Sequence, residues 1–173
     1  MFIPTTDDDV PAIAALMNRA YRGGADNGGW TTEDAYLAGD RTTAGLLHAE
    51  IAAAPDAAML VWPEPDGALS GCVRLEPVGD GVWYLGSLAV DPARQGAGLG
   101  RTVLSSAEAW VREQGGTRVR MTVVNVRETL IGWYERRGYR RTGKIIPFPY
   151  GDERLGTPLR DDLSFVVLEK SLP

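Results

Sequence analysis

The chain is poor in the residues that form disulfides and transition-metal sites. Its 173 residues include one cysteine, Cys72, and one histidine, His48. A lone cysteine cannot close an internal disulfide, and the two residues together cannot supply a set of zinc ligands. We therefore predict no metal and a reducing compartment. Cys72 is expected in the core of a strand and His48 on a helix face, neither with a chemical role.

Long apolar stretches and an excess of positive charge are absent as well. No stretch approaches the roughly 20 apolar residues that span a bilayer, and the acidic start MFIPTTDDDV lacks the basic and apolar regions of a signal peptide. Lysine and arginine total 18 against 23 acidic residues, a formal charge of -5 that repels a polyanion. We expect a cytoplasmic protein that binds neither nucleic acid nor membrane, with a single domain over residues 1–173.

What the chain does have is an orderly succession of helical and strand-like patterns. Apolar residues recur at helical spacing over 5–22, the glycine-rich run 23–29 predicts a break, and a second helix is predicted from about Thr42 or Thr43. The remaining predicted elements are strands at 57–62, 68–77 and 81–90, a helix at 101–113, a strand at 117–126, a helix at 127–139 and a strand at 162–170. This order predicts a mixed sheet with helices packed against it.

The most informative stretch is RQGAGLGR, which places Gly96, Gly98 and Gly100 between a strand ended by Asp91-Pro92 and a helix. The first N–H groups of a helix lack internal partners, and glycines let them approach phosphate oxygens without intervening side chains. A turn that needs positive φ would explain one or two of these glycines. The run alone therefore leaves both a phosphate site and a simple turn open.

Two familiar phosphate-binding loops do not match this sequence pattern. The P-loop requires G-x-x-x-x-G-K-[ST], but Gly100 is followed by Arg101 and the residue five before it is Gln95. The dinucleotide fingerprint requires G-x-G-x-x-G and an acidic residue about 20 positions later, whereas residues 116–118 are Gly, Thr and Arg. ATP and NAD are therefore disfavoured, and a nucleotide-binding protein of another fold is the least favoured hypothesis.

A third pattern fits, because the run Gln95–Gly100 resembles the Q/R-x-x-G-x-G/A loop of the GNAT superfamily of acyl-CoA-dependent N-acetyltransferases. LAVDP at 88–92 resembles the strand before that loop, and NVRETLIGWYERRGY at 125–139 resembles the later motif that commonly ends in Tyr-x-x-x-Gly-Phe/Tyr. The resemblance extends over nearly the whole chain. It implies an α/β fold of the α+β type with three layers, in which about four helices flank a mixed, mostly antiparallel sheet of about six to seven strands. The sheet is expected to splay between its fourth and fifth strands.

The resemblance also implies acetyl-CoA as the acyl donor. Its pyrophosphate is expected on backbone N–H groups of the glycine loop, at Gln95, Gly96, Ala97, Gly98, Leu99, Gly100 and Arg101, with charge added by Arg101. The pantetheine arm is expected to pair with the strand backbone at Leu88, Ala89 and Val90. The side chains of Leu88 and Val90 fit an ordinary core at the same time.

The implied reaction is direct attack of a neutral amine on the thioester, and it needs an acid for the departing thiolate. Tyr134 matches the family's thiolate-protonating tyrosine, although it also fits a packing role one helical turn after Leu130. Asn125 matches an asparagine that contacts the cofactor, but it lies nine residues before Tyr134 where seven is commoner, so Arg127 is an alternative for that contact.

Many members of the family place a basic glutamate on the strand before the loop, and the corresponding residue here is Gly86. A remote carboxylate acting through water is the expected substitute, with Glu33 and Glu76 as candidates. Each of the two also fits a solvated surface charge.

The amine acceptor is expected between two loops, 21–34 and 147–162, which combine aromatic, glycine and charged residues. Trp30, Glu33, Phe148 and Tyr150 are the candidate acceptor residues, and the three aromatic ones fit packing beneath their own loops equally well. The acceptor itself is a small-molecule or peptide amine. A non-catalytic acyl-CoA-binding module is the alternative function, because the strand glutamate is missing, and assembly as a homodimer is left open.

Overall fold

The computed structural model describes residues 1–23 and 30–173, and its helices and strands follow the predicted order. Apart from Gly23, the predicted break at 23–29 lies outside the described residues. The helices are α1 (Val10–Arg22), α2 (Ala44–Ala53), α3 (Leu99–Glu113) and α4 (Glu128–Glu135). The strands are β1 (Ile3–Pro4), β2 (Leu37–Ala38), β3 (Ala58–Pro63), β4 (Leu69–Gly79), β5 (Val82–Val90), β6 (Arg118–Val124), β7 (Arg140–Pro147), β8 (Thr157–Pro158) and β9 (Ser164–Ser171).

Seven of these strands form one sheet in the spatial order β1-β3-β4-β5-β6-β9-β7, while β2 and β8 pair separately. Neighbouring strands in the large sheet are antiparallel except β5 and β6, which are parallel. That one parallel pair is short, because it joins only residues 82–84 to residues 118–120. The two strands then separate, which confirms the splay predicted between the fourth and fifth strands of the sheet.

Helices cover both faces of the large sheet, so the predicted three-layer arrangement is confirmed. On one face, α1 buries Ile13, Leu16 and Met17 against Val61 of β3 and Cys72 of β4. The apolar spacing of α1 explains this, since its buried residues recur every three or four positions and form a single stripe.

On the other face, α3 and α4 pack over the sheet and enclose the larger part of the core. Leu104 and Val111 of α3 and Ile131 of α4 meet Leu75 and Leu85 from the strands. Because successive strand residues point to opposite faces, each central strand contributes to both halves of the core. The short strands β1, β2 and β8 were not predicted, since two residues carry no periodicity and these pairings join segments distant in the sequence.

Strand β5 is irregular at the point where it leaves β6. Its register with β4 shifts between Cys72 and Arg74, and Ser87 has φ of 50°, in the left-handed region that residues other than glycine rarely adopt. An extra residue in one strand bends that strand and changes the direction of its backbone groups. The bulge therefore accompanies the separation of the two strands that opens the sheet.

In the described part of the chain, no helix is long and apolar enough to cross a membrane. His48 is exposed on α2 and Cys72 is fully buried in β4, as the sequence predicted.

Candidate active site

A cavity of about 960 Å³ lies where β5 and β6 separate. Its volume is near the upper end of the roughly 300–1,000 Å³ usual for ligand sites. Its walls bring together most of the residues predicted for the site: Trp30, Glu33, Leu88, Ala89, Val90, Gln95, Gly96, Gly98, Gly100, Arg101, Arg127, Tyr134 and Phe148. Ala97, Leu99, Asn125 and Tyr150 are not among the wall residues. Segments widely separated in the sequence therefore meet around one space.

One wall is the glycine loop that precedes α3. Gly98 is the N-cap of this helix, and its φ of 82° is left-handed, which suits glycine. The N–H group of Gln95 bonds the Pro92 carbonyl (3.2 Å) and that of Arg101 bonds the Gly98 carbonyl (3.1 Å). Between these two, the described residues offer the N–H groups of 96–100 no hydrogen-bond acceptor. Free N–H groups at a helix N-terminus form a binding site for an anion.

The Gln95 side chain adds a second unfilled polar position at this loop. Its Nε2 donates to the Thr31 hydroxyl (3.4 Å), whereas its Oε1 is buried and has no partner among the described residues. A buried acceptor without a partner is costly, so such a group in a cavity wall points to a donor on a bound molecule. Arg101 of α3 and Arg137, just after α4, add two positive charges to the same cavity.

A second wall is the part of β5 that no longer pairs with β6. The Tyr21 hydroxyl of α1 donates to the Leu88 carbonyl (3.0 Å), so one of the backbone acceptors predicted for pantetheine already has a partner. Tyr21 was not predicted as a site residue. It lies four residues after Met17 at the end of α1, at the first position of the loop 21–34 that was predicted for the acceptor.

Tyr134 lies in the wall formed by α4 and is only 6% exposed. Its ring packs edge-on against Trp133 (5.0 Å between centroids) and Tyr139 (5.6 Å). Burial raises the pKa of Tyr134 to about 12, despite the opposing effect of the Arg127 charge. No hydrogen bond to its hydroxyl contributes to this pKa, and the residue lines the cavity. A neutral, unbonded O–H at a cavity wall is able to donate a proton to a bound molecule.

Glu33 is buried rather than solvated, so the hypothesis that it is a surface charge is wrong. The side chain is 7% exposed, and its two oxygens each bind one guanidinium: Arg22 at 2.5 Å and Arg127 at 2.9 Å. Arg127 also donates to the Thr31 carbonyl, and Arg22 also donates to the carbonyls of Gly39 (2.9 Å) and Leu155 (2.6 Å). We call Glu33, Arg22 and Arg127 the ion cluster.

The ion cluster joins the end of α1, the loop after it, the start of α4 and the late loop. Glu33 and Arg127 line the cavity, and the hydrogen bonds described above tie both of them to other parts of the protein. Periodicity did not reveal the cluster, because its members are 11 to 105 residues apart in the sequence. Only the fold brings them into contact.

Three other predicted residues have roles outside the cavity wall. The Asn125 amide donates to the Asp162 carbonyl (3.0 Å) and accepts from the Ser164 N–H (3.0 Å), so it fixes the start of β9. The Tyr150 hydroxyl accepts from the Leu163 N–H (2.9 Å), which packs this tyrosine against its own loop. Glu76 on β4 pairs with its neighbour Arg74 and does not line the cavity.

The remaining aromatic residues lie in the cavity wall as expected. Phe148 is buried and stacks on Phe165, with 5.6 Å between ring centroids. Trp30 is half exposed, and its ring lies tilted against that of Trp133, with 6.4 Å between centroids. These rings give this part of the cavity an apolar lining.

Charge in the described cavity walls is mainly positive. The walls contain the guanidinium groups of Arg41, Arg101, Arg127 and Arg137, and Glu33 is the only carboxylate among them. The described residues contain no group of three or more His, Cys, Asp or Glu side chains that could hold a metal ion. The site therefore suits an anionic ligand held by backbone N–H and guanidinium groups.

Comparison with known proteins agrees with this geometry. The model of the acetyltransferase (GNAT) family matches residues 12–139. The mycothiol acetyltransferase of Salinispora tropica is 29% identical over 153 residues, which are 82% of this chain and 50% of that protein. The chain thus spans about half the length of this curated relative.

Solved structures share the fold at low sequence identity. A nourseothricin acetyltransferase superposes with a TM-score of 0.68 at 18% identity, over 100% of this chain and 98% of that one. A ribosomal-protein-alanine N-acetyltransferase of Brucella melitensis superposes with a TM-score of 0.70 at 18% identity, over 99% of each chain.

Proposed function

This chain belongs to the acetyltransferase (GNAT) family, and from that premise we propose that it transfers acetyl from acetyl-CoA to the primary amine of a small molecule or peptide. The observation that carries the proposal is one cavity with two complementary walls. One wall presents the unbonded N–H groups of residues 96–100, and the other presents the neutral hydroxyl of Tyr134. The first suits a pyrophosphate and the second suits a leaving thiolate.

The residues present fit coenzyme A. The N–H groups of residues 96–100 would hold the pyrophosphate, and Arg101 would add charge. The side-chain Oε1 of Gln95 would accept a hydrogen bond from a donor on the ligand. The edge of β5 that does not pair with β6 would hold the peptide-like arm at residues 88–90. Acetyl-CoA supplies the thioester whose carbonyl carbon the amine attacks. Asn125 is not needed for binding, because its amide is already bonded within the protein.

We assign Tyr134 the role of general acid. A group acts as an acid only while it holds its proton, and a pKa of about 12 keeps this hydroxyl protonated at neutral pH. Burial of the ring excludes water, and contacts with Trp133 and Tyr139 fix its position. Arg127 lies close enough to influence the phenol charge, so its positive charge would ease the loss of that proton.

No protein carboxylate is proposed as the base. The oxygens of Glu33 are engaged by Arg22 and Arg127, and Glu76 lies outside the wall. A cavity lined by guanidinium groups disfavours an ammonium ion, since like charges lower the pKa of an amine. We propose that the acceptor gives up its ammonium proton to water before it enters the cavity, and that it binds there as the neutral amine.

The test is release of free thiol from acetyl-CoA in the presence of a broad panel of primary amines. Tyr134→Phe should lower kcat by about 10²–10⁴-fold, the usual contribution of a general acid. Tyr36→Phe is the matched control, because the Tyr36 hydroxyl is buried, has no partner among the described residues and does not line the cavity. Equal rates for Tyr134→Phe and the wild type would refute the role of Tyr134.

The same assay separates this proposal from the acyl-CoA-binding module. A binding module would be stabilised against heat by coenzyme A, yet it would release no thiol above background with any amine. Thermal stabilisation together with amine-dependent thiol release supports the transferase.

A further inference from the structure

Three arginines of the described cavity wall, Arg41, Arg101 and Arg137, have no described carboxylate within 4.0 Å, and of these only Arg41 lies beside α1. Arg19, Arg22 and Arg127 are each ion-paired, to Asp91 or to Glu33. Of these three, only Arg127 lines the cavity; Arg41 lines it too, and no described carboxylate lies within 4.0 Å of Arg41. An arginine held beside a cavity with its donors free is suited to a carboxylate or phosphate on a ligand.

The backbone that carries Arg41 is firmly held. The Asn18 side chain on α1 accepts from the N–H groups of Arg41 (2.7 Å) and Thr42 (3.1 Å) and donates to the Thr42 carbonyl (2.9 Å). Thr42 is itself buried. The position is therefore fixed before any ligand arrives, so less ordering entropy is lost on binding.

The Arg41 guanidinium lies 5.4 Å from the centre of the Tyr21 ring. The same tyrosine donates its hydroxyl to the Leu88 carbonyl on the splayed part of β5. One tyrosine therefore contacts both the Arg41 guanidinium and the β5 backbone, where the acyl donor is proposed to bind. An anion on Arg41 and an amine near β5 can therefore belong to one small molecule.

Arg41 is distinct from the cations proposed to serve the acyl donor. Arg101 lies on α3 next to the free N–H groups, and Arg137 stacks over the Trp133 ring at 3.6 Å and lies close enough to Arg101 for their charges to interact. Arg41 instead lies against α1, close to the buried Tyr21 and Cys72. Its charge is therefore available to a group other than the pyrophosphate proposed for the glycine loop.

We propose that the acceptor is an amine that also carries an anionic group, such as an amino acid, and that Arg41 binds this group as a carboxylate. This inference rests on the proposed function, since it assigns the substrate class of the same site. Cationic acceptors such as diamines are disfavoured, because a second ammonium group would meet Arg41 without a balancing charge.

Binding of product analogues tests the inference without turnover. With coenzyme A present, N-acetylated phenylalanine, leucine and glycine are each compared with the corresponding carboxamide by calorimetric titration. The two members of a pair differ in one negative charge. A hydrogen bond to a charged group is worth about 10- to 100-fold in affinity, so the wild type should prefer the acid by that factor in at least one pair.

The variant Arg41→Met should reduce that preference to about twofold or less, while keeping the apolar part of the side chain. Arg112→Met is the matched control, because Arg112 is exposed on α3 and does not line the cavity. It should leave the preference unchanged. Three outcomes would each overturn the inference. The wild type binds acid and amide equally, it binds neither member of any pair, or Arg41→Met keeps the full preference for the acid.

Thiol release then separates the two claims. Amino acids, their carboxamides and putrescine are supplied as acceptors with acetyl-CoA. Turnover of amides or putrescine at least equal to that of the acids leaves the transferase standing and overturns the anionic acceptor. An acid preference in binding without turnover of any amine refutes the transferase and leaves the anion site of Arg41 standing.

Discussion

The sharpest prediction concerns Glu33, which the sequence offered as a base and the fold places in the ion cluster. Replacing Glu33 with glutamine keeps the shape of the side chain and removes its charge. Two guanidinium groups, Arg22 and Arg127, then remain at side-chain exposures of 9% and 10% without their shared counter-charge. Water reaches neither fully, so the loss is poorly compensated.

The magnitude follows from the burial of all three groups. Breaking a buried ion pair by removing one partner costs about 3–5 kcal/mol. A domain of this size has a total stability of about 5–15 kcal/mol, so the change is a large part of it. At roughly 2–4 °C per kcal/mol, the melting temperature should fall by about 6–20 °C.

The assay is thermal and urea unfolding of Glu33→Gln beside a matched control, Glu76→Gln. Glu76 pairs with Arg74 on a more exposed strand surface, where an ion pair contributes about 0–1 kcal/mol. The two variants carry the same chemical change, so a difference in unfolding free energy reports the ion cluster. Adding Arg127→Met to Glu33→Gln should cost less than the sum of the single variants, because the two side chains share one contact.

The pH dependence of the rate separates this structural role from catalysis. If Glu33 only holds the loops, Glu33→Gln should lower the amount of folded enzyme and keep the shape of the pH–rate profile. A variant that melts with the wild type, yet loses the acidic limb of that profile, would refute the structural role and restore Glu33 as the base.

Two further predictions follow from single residues. Gly98→Ala should lower the free energy of unfolding by about 1–2 kcal/mol, because φ is left-handed at this residue. Gly100→Ala should leave the melting temperature unchanged or raised, since Gly100 is helical and an added Cβ would meet only Trp133 at 3.7 Å. Equal destabilisation by the two substitutions would contradict this prediction. Burial raises the pKa of the Cys72 thiol from 9.0 to about 12, so the stability it contributes is present below pH 9 and is lost as the pH rises through 12. Alkaline unfolding of Cys72→Ala between pH 9 and 12 should therefore be shallower than that of the wild type, and identical slopes would show that this thiol does not titrate differently in the two states.

Local patterns in the sequence were sufficient for the four helices and most of the longer strands, and for singling out the glycine loop. The apolar spacing of α1 and the strand-like runs before Asp91 predicted one helix and three strands, because periodicity of 3.6 or 2 is a property of the chain itself. The loop at residues 95–100 was readable for a similar reason, since its N–H groups and its glycines are neighbours in the sequence. These features need no distant partner.

The partners of individual polar side chains could not be read in this way. Asn125 matched a cofactor contact by position, yet its amide bonds the chain at 162–164, where β9 begins. Tyr21 was not singled out in the sequence, yet its hydroxyl bonds the Leu88 carbonyl of β5. The identity of a polar residue states what it can bond, but only its neighbours in space decide which bond it makes.

The sequence by itself was sufficient for the resemblance to the GNAT superfamily and for the expectation of an anion site before α3, because each motif that carries them is a run of contiguous residues. The tertiary structure decided that Glu33 forms ion pairs with Arg22 and Arg127 and that Arg41 lines the cavity without a described counter-charge. Both outcomes depend on the packing of loops against α1. A buried charge needs a partner, and that partner comes from a distant segment of the chain, so residue spacing does not predict it.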